Sequence, residues 1–157
     1  MITVRPIRPG DVELLTRSVK AAPLLHEARA QLQHDERAVY LVACDEDTPV
    51  GHVLLRLPPL DAATHPRVDD VPQVEDLLVA TDRRSHGVGT RLLDELEAEA
   101  RRRGFDRLSL AVGTRNLRAR RLYAERGYVD AGLGEFDVPG ASGGGLPDRC
   151  TCLVKDL

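Results

Sequence analysis

Tryptophan is absent from this 157-residue chain, and only five aromatic residues occur: Tyr40, Phe105, Tyr123, Tyr128 and Phe136. Its core must therefore be aliphatic. A stacking platform for single-stranded nucleic acid, which needs exposed rings on basic ground, is excluded. Lysine is nearly missing as well, with Lys20 and Lys155 alone, so positive charge rests on arginine, clustered at 101–103 and 118–121. These clusters read as solvated helix faces, part of the second being able to face the phosphates of a ligand. With a formal net charge of −3 and no sustained basic stripe, the chain lacks the footprint of a DNA-binding protein. Cysteine is sparse: Cys44, Cys150 and Cys152 make neither a CxxC pair nor a disulfide framework, and read as reduced, mostly buried thiols. Long apolar runs are missing too, and residues 1–11 carry two arginines and two prolines in place of a signal-peptide core. The expectation is a cytoplasmic protein.

What is present falls into short alternating patterns. Residues 2–7 alternate apolar and polar and predict a first strand. Pro9, Gly10 and Asp11 then make a turn and a helix cap, with Val12, Leu14, Leu15 and Val19 at helical spacing. A second helix is expected over 24–37. Residues 39–44 and 50–57 are strand-like and predict a hairpin around 45–49. Residues 58–72, with four prolines and three aspartates, predict a loop, and 74–80 a strand. Val88, Leu92, Leu93, Leu96 and Ala100 make one apolar helical face that stops at Gly104. Residues 108–112 alternate as a strand, 116–126 predict a short helix ended by Gly127, and 128–131 resume strand. A glycine-rich stretch at 132–145 then interrupts before a last strand at 150–154. Its 140–145 run reads as a floppy surface loop, or as a mobile lid over a substrate pocket. No repeat and no dividing linker occurs, so 1–157 is expected to form a single domain.

The segment with chemical content is a strand, then Arg84-Ser85-His86-Gly87-Val88-Gly89-Thr90, then an amphipathic helix. Two glycines here let the backbone approach a ligand without Cβ hindrance. The unpaired amides and dipole of the helix's first turn favour an anion at that end. Such a junction is a phosphate cradle, or simply a tightly packed turn. A P-loop is excluded because no lysine follows Gly87 or Gly89. A Rossmann fingerprint is excluded because its third glycine would fall on Leu92.

Residues 84–89 fit [QR]-x-x-G-x-[GA] at every specified position. Downstream, Asn116, Ala119, Leu122, Tyr123, Gly127 and Tyr128 fit N-x-x-A-x-x-L-Y-x-x-x-G-[FY]. In these two blocks, and in their order, the chain resembles the GNAT superfamily of N-acetyltransferases, well over 74–130 and by element order before that. The resemblance implies an α/β (α+β) GNAT fold, a mixed central sheet of six to seven strands with helices on both faces. It implies acetyl-CoA as acyl donor, with no metal. The amides of Arg84, Ser85, His86, Gly87, Val88, Gly89 and Thr90 would hold the pyrophosphate. Leu77, Leu78 and Val79 would pair with the pantetheine, and Asn116 would contact the CoA arm. Tyr123, seven residues after Asn116 and on the same helix face, would set its hydroxyl near the thioester sulfur.

Direct acyl transfer needs a neutral amine, an oxyanion donor and a proton for the leaving thiolate. The amide of Leu78 or Val79 could polarise the carbonyl, and Tyr123 could protonate the sulfur. Glu75 is the expected base, placed by strand alternation on the face of Leu77 and Val79, or else it is an edge-strand surface carboxylate. Members that acetylate ribosomal-protein N-termini carry a glutamate on the strand before Asn116, where this chain has Ala111. His65 and His86 lack ligand spacing for a metal. The expected activity is acetyl-CoA-dependent N-acetylation of a small cationic amine. Asp61, Asp69, Asp70, Glu135 and Asp137 would line the approach, and the competing reading is solvated loop acids. The expected partners are that amine and at most a second copy of the chain, with no nucleic acid and no membrane. A non-catalytic acyl-CoA-binding or regulatory module, and a protein N-terminal or lysine acetyltransferase, are the alternatives.

Overall fold

Residues 1–19, 23–60, 66–138 and 147–157 are described by the computed structural model of the chain. The hairpin forms as the alternation predicts, with β2 (Ala38–Asp45) antiparallel to β3 (Thr48–Arg56). Along β2, Val39, Leu41 and Ala43 turn to one face, and Tyr40, Val42 and Cys44 to the other, all buried. A strand covered on both faces reads as a nearly continuous apolar run, which is what β2 is. The neighbours β1 (Ile2–Pro6) and β4 (Gln73–Val79) pair antiparallel with β2 and β3. Beyond β4 lie β5 (Arg107–Gly113), β7 (Asp148–Asp156) and β6 (Val129–Val138), completing a seven-stranded mixed sheet in the order β1-β2-β3-β4-β5-β7-β6.

Helices cover both faces of that sheet. On one side α3 (Val88–Arg102) and α4 (Leu117–Glu125) pack on Val53, Leu55, Val74 and Leu110. Along α3, Val88, Leu92, Leu93, Leu96 and Ala100 are all buried, the stripe its spacing predicts. Each buried leucine of such a stripe is worth about 2–5 kcal/mol against alanine. The opposite side holds α1 (Asp11–Ser18) and α2 (Pro23–His34) over Tyr40, Val42 and Leu54. No helix among the described residues is long and apolar enough to cross a membrane.

One expected break is absent. The strand at 128–131 does not stop at Gly132 but continues to Val138. Gly132 and Gly134, with φ of 78° and 74°, take up a register shift between Asp130 and Glu135, and the ladder resumes with Glu135 against Thr151 and Phe136 against Cys150. The glycines thus bend the strand where they were expected to end it. The 140–145 run, His65 and Asp61 lie outside the described residues.

A polar cluster is buried under α2. His52 is 1% exposed, and its ring meets those of His26 and Tyr40 edge-on, with centroids 5.1 and 5.6 Å away. Burial, then the charge of Arg29 and His26 itself, pushes His52 down to about 3 from an ordinary 6.5. Between those two values the unfolded chain holds a proton that the folded chain does not. The neutral form's stability is therefore complete above pH 6.5 and is lost on acidification, at about 1.4 kcal/mol per pH unit. His26, lowered by burial and by Arg29, acts in the same direction. His52→Leu should flatten the fall in Tm between pH 6.5 and 4, measured by calorimetry across a pH series. Parallel curves for wild type and variant would show that His52 is not the titrating group.

Candidate active site

The site begins where β4 and β5 separate. They pair in parallel at Gln73–Ser109 and Val74–Leu110, and no further. Past that point β4 follows β3, β5 follows β7, and a wedge opens between Leu77–Val79 and the second half of β5. Among the described residues, backbone groups on the wedge side of β4 beyond Val74 have no strand partner. The Ala80 amide donates to the Val50 carbonyl across to β3 at 2.8 Å. By alternation Val79 turns its amide and carbonyl the other way, into the wedge, and its carbonyl accepts the Arg84 Nε–H at 3.1 Å. Leu77 is in phase with Val79. Leu78 is out of phase, with its backbone toward β3, so of the two amides expected at the carbonyl only that of Val79 faces the wedge.

A β-bulge lies in the middle of β4. Asp76 has φ 53°, and the register with β3 shifts between His52 and Leu54. The extra residue changes which side chains share a face. Leu77 and Val79 pack on the α3/α4 side, whereas Glu75 pairs opposite Leu54 and points to the α1/α2 side with Leu78. The face assigned to Glu75 by simple alternation is therefore wrong, because the bulge inverts the pattern between Glu75 and Leu77. Its carboxylate lies 3.9 Å from Arg56 Nε.

A second carboxylate, that of Asp76, sits at the bulge itself. Buried Arg29, from α2, donates to its Oδ2 at 2.6 Å, and the Asp76 side chain is still 41% exposed. Sequence reading missed it. The one signal was an aspartate inside a strand, where the residue is disfavoured but from which it can enter the left-handed region.

Tyr123 approaches from the opposite side. It lies on α4, is 7% exposed and contacts the Tyr128 ring with centroids 5.5 Å apart. Burial, with the Asp76 charge adding to it, pushes its hydroxyl up to about 12, so it stays protonated at neutral pH. Asn116 begins the same helix, and its Oδ1 accepts the Ala119 amide at 3.2 Å as an N-cap. A structural task thus holds the oxygen of the residue expected at the CoA arm. Ala111 lies on β5 facing Cys152 across the ladder.

Beyond β4 the chain passes through a 3-10 turn, Thr81–Arg83, into residues 84–90. Ser85 and Gly87 take φ of 63° and 79°, and Gly87 caps α3 without a side-chain bond. The Arg91 amide closes the first helical bond to the Gly87 carbonyl at 3.1 Å. Val88, Gly89 and Thr90 therefore present amides with no intrahelical acceptor, and no acid sits in that first turn. Arg118 of α4 donates to Ser85 Oγ at 2.7 Å, and His86 Nδ1 donates to the Arg84 carbonyl at 2.8 Å. His86 thus braces the turn, and Arg118 brings positive charge to its rim. A Cβ at Gly89 would meet nothing nearer than Leu122 Cδ2 at 3.7 Å, an ordinary contact. Nothing in the fold itself requires glycine there.

The wedge edge and Asp76 thus lie on β4, the 84–90 turn between β4 and α3, and Tyr123 on α4. The model of the acetyltransferase (GNAT) family matches residues 12–128. The chain belongs to the GNAT acetyltransferase family. No curated protein sequence matches it. Among solved structures, it is similar to the ribosomal-protein-alanine N-acetyltransferase of Brucella melitensis, at 19% identity, 99% coverage of both chains and a TM-score of 0.77. The GNAT acetyltransferase of Elizabethkingia anophelis, solved with acetyl-CoA bound, is 16% identical over 99% of this chain and 98% of its own, with a TM-score of 0.64. The paia N-acetyltransferase of Thermoplasma acidophilum, in complex with coenzyme A, is 15% identical over 100% and 99%, with a TM-score of 0.69. At these identities the likeness is one of fold.

The two glycines of this GNAT cradle should respond differently to a methyl group. Gly87→Ala forces a left-handed residue with a Cβ and should cost about 1 kcal/mol. Gly89→Ala has space and gains helix propensity, so stability should hold or rise slightly. Urea denaturation of both variants measures the contrast, and equal losses would mean that residue 89 is packed more tightly than its neighbours indicate.

Proposed function

We propose that this GNAT protein is an acetyl-CoA-dependent N-acetyltransferase that moves the acetyl group directly from the thioester to an amine of a small cationic molecule. What supports the reading is a partly exposed carboxylate, Asp76, at the bulge of β4 and a buried, protonated hydroxyl, Tyr123, on α4 whose titration the Asp76 charge influences. Acetyl-CoA bound to the Elizabethkingia protein and coenzyme A bound to the Thermoplasma protein support the choice of donor. The pyrophosphate would rest on the amides of Val88, Gly89 and Thr90, with the thioester arm along Leu77 and Val79.

The steps follow from the groups present. Asp76 takes a proton from the incoming ammonium; for an amine of pKa about 10.4, neutralisation at pH 7.4 costs about 4 kcal/mol. The nitrogen attacks the carbonyl carbon, whose oxygen accepts the Val79 amide, and a C–N bond forms. The C–S bond then breaks, the Tyr123 hydroxyl gives its proton to the sulfur, and the nitrogen releases its surplus proton to water, yielding an acetamide and free thiol. Tyr123 recovers its proton from solvent. Asp76 takes the role expected of Glu75 because it, not Glu75, shares the wedge with Tyr123. The cationic preference rests on Asp76, Asp69 and Asp70. Glu135 and Asp137 contribute less, since Arg149 reaches both at 3.2 Å. A non-catalytic acyl-CoA-binding module would need neither Asp76 nor Tyr123.

Gly89→Asp places a side chain and a negative charge in the cradle. It should abolish acetyl-CoA binding in a calorimetric titration with Tm nearly unchanged, and wild-type affinity would remove the cradle assignment.

Thiol-release assays over an amine panel, with acetyl-, propionyl- and succinyl-CoA, test the chemistry. Tyr123→Phe should lower kcat by about 10²-fold. Asp76→Asn should lower kcat/KM, most for amines of high pKa, while Glu75→Gln should leave it within about twofold. The reverse order for the two carboxylates would return the base to Glu75. Tyr123→Phe turnover within threefold of wild type would mean that another group protonates the sulfur.

A further inference from the structure

Glu97 is a buried carboxylate to which acetyl transfer assigns no part. It lies on α3, 3% exposed, and it gathers three donors from three other segments. Arg126, at the C-cap of α4, donates to its Oε2 at 3.0 Å. Lys155 of β7 donates to the same oxygen at 2.9 Å. The Tyr128 hydroxyl, just before β6, donates to Oε1 at 3.2 Å. Arg126 is also held by Asp94, one turn earlier on α3, at 2.8 Å. Lys155 lies over the Tyr128 ring, 5.5 Å from its centroid. A carboxylate this deep is tolerated because it is paired and hydrogen-bonded, and two cations on one oxygen exceed what neutralising a single charge requires.

Tyr128 links this cluster to the reaction. Gly127, with φ 90°, ends α4, and the Tyr128 amide then bonds back to the Tyr123 carbonyl at 3.0 Å. Their rings meet at 62°, with centroids 5.5 Å apart. Tyr123 therefore touches Tyr128 through both backbone and ring, while its own hydroxyl has no hydrogen-bond partner among the described residues. What aims that hydroxyl is the packing of its ring, and the Tyr128 ring is anchored at its far end on Glu97. Burial, and then Glu97, raise the Tyr128 hydroxyl far above its ordinary value, so it remains a donor to the carboxylate at every working pH.

Building on the reading of Tyr123 as proton donor, we infer that Glu97 is a positioning residue for catalysis: through the Tyr128 hydroxyl and ring it sets the orientation of Tyr123 at the wedge. The cluster joins α3, which carries the cradle, to α4, which carries the tyrosine, so a single carboxylate sets the distance between the donor's phosphate end and its proton source. Misplacement of a reacting group by about 1 Å, even by a change remote from the chemistry, can cost up to about 10²-fold.

Tyr128→Phe is the central variant, because it removes one oxygen and leaves the ring stack in place. Glu97→Gln is the companion, read alongside its Tm. In the wild-type background Tyr128→Phe should lower kcat about tenfold with the KM for acetyl-CoA within twofold. In the Tyr123→Phe background it should change kcat no further, since the group it orients is gone. Equal losses in both backgrounds, or no loss in the first, would overturn the inference. An independent readout needs no turnover. With only three tyrosines in the chain, the ring signals of Tyr123 can be assigned in a carbon-edited NMR spectrum by their loss in Tyr123→Phe. They should shift in both Tyr128→Phe and Glu97→Gln, and unchanged signals would refute the coupling. Full turnover in Tyr123→Phe would refute the proton donor alone, leaving the NMR result to decide the orientation.

Discussion

Between β4 and β5 the parallel ladder holds at two residue pairs and then stops. From there each strand is committed to its other neighbour: β4 to β3, across the bulge at Asp76, and β5 to β7 along its whole length. Sheet twist and the extra residue turn the two halves of the sheet apart, leaving a row of main-chain groups on β4 without a strand partner. Unpaired backbone polar groups are costly when buried, so such an edge must meet water or a ligand. The wedge is therefore an opening lined by backbone, and the helices are arranged about it.

Both α3 and α4 pack on the same face of the sheet, next to the wedge, because each follows one of the diverging strands. The turn that joins β4 to α3 sets the bare amides of Val88, Gly89 and Thr90 at one end of the opening. The turn after β5 starts α4 on the Asn116 cap and brings Tyr123 to its side. The register of β5 with β7 and the apolar stripe of α3 serve this geometry through burial, which supplies most of the stability that holds an open seam in place.

Charge divides between the two faces. Under α2, His26, Tyr40 and His52 form a neutral cluster beside Arg29, whose guanidinium is committed to Asp76. Behind α4, Glu97 draws Arg126, Lys155 and Tyr128 together. Each cluster stands behind one of the two groups that face each other across the wedge. Asp76 is held from the α1/α2 side and Tyr123 from the α3/α4 side. That separation keeps Asp76 and Tyr123 in different environments, one partly exposed and paired with a cation, the other buried and neutral.

Local spacing was enough to read much of this. The stripe from Val88 to Ala100, the hairpin of β2 and β3, the glycines at 87 and 89 and the placing of Tyr123 seven residues beyond Asn116 all depend on periodicities that hold within one element. Those periodicities follow from steric and hydrogen-bond rules that act over a few residues. The identity of the wedge carboxylate was not legible, because one inserted residue at Asp76 reverses every side-chain assignment beyond it. A bulge is decided by the partner strand rather than by the strand itself. For the same reason the choice between the Leu78 and Val79 amides needed the Ala80–Val50 bond, and the anchoring of Tyr128 needed Glu97 and Lys155, 58 positions apart in the chain. By itself the sequence determined which elements form and which loop can cradle an anion. Only the tertiary structure decided which groups face each other across the opening, because that depends on register between distant strands and on the docking of helices onto a divided sheet.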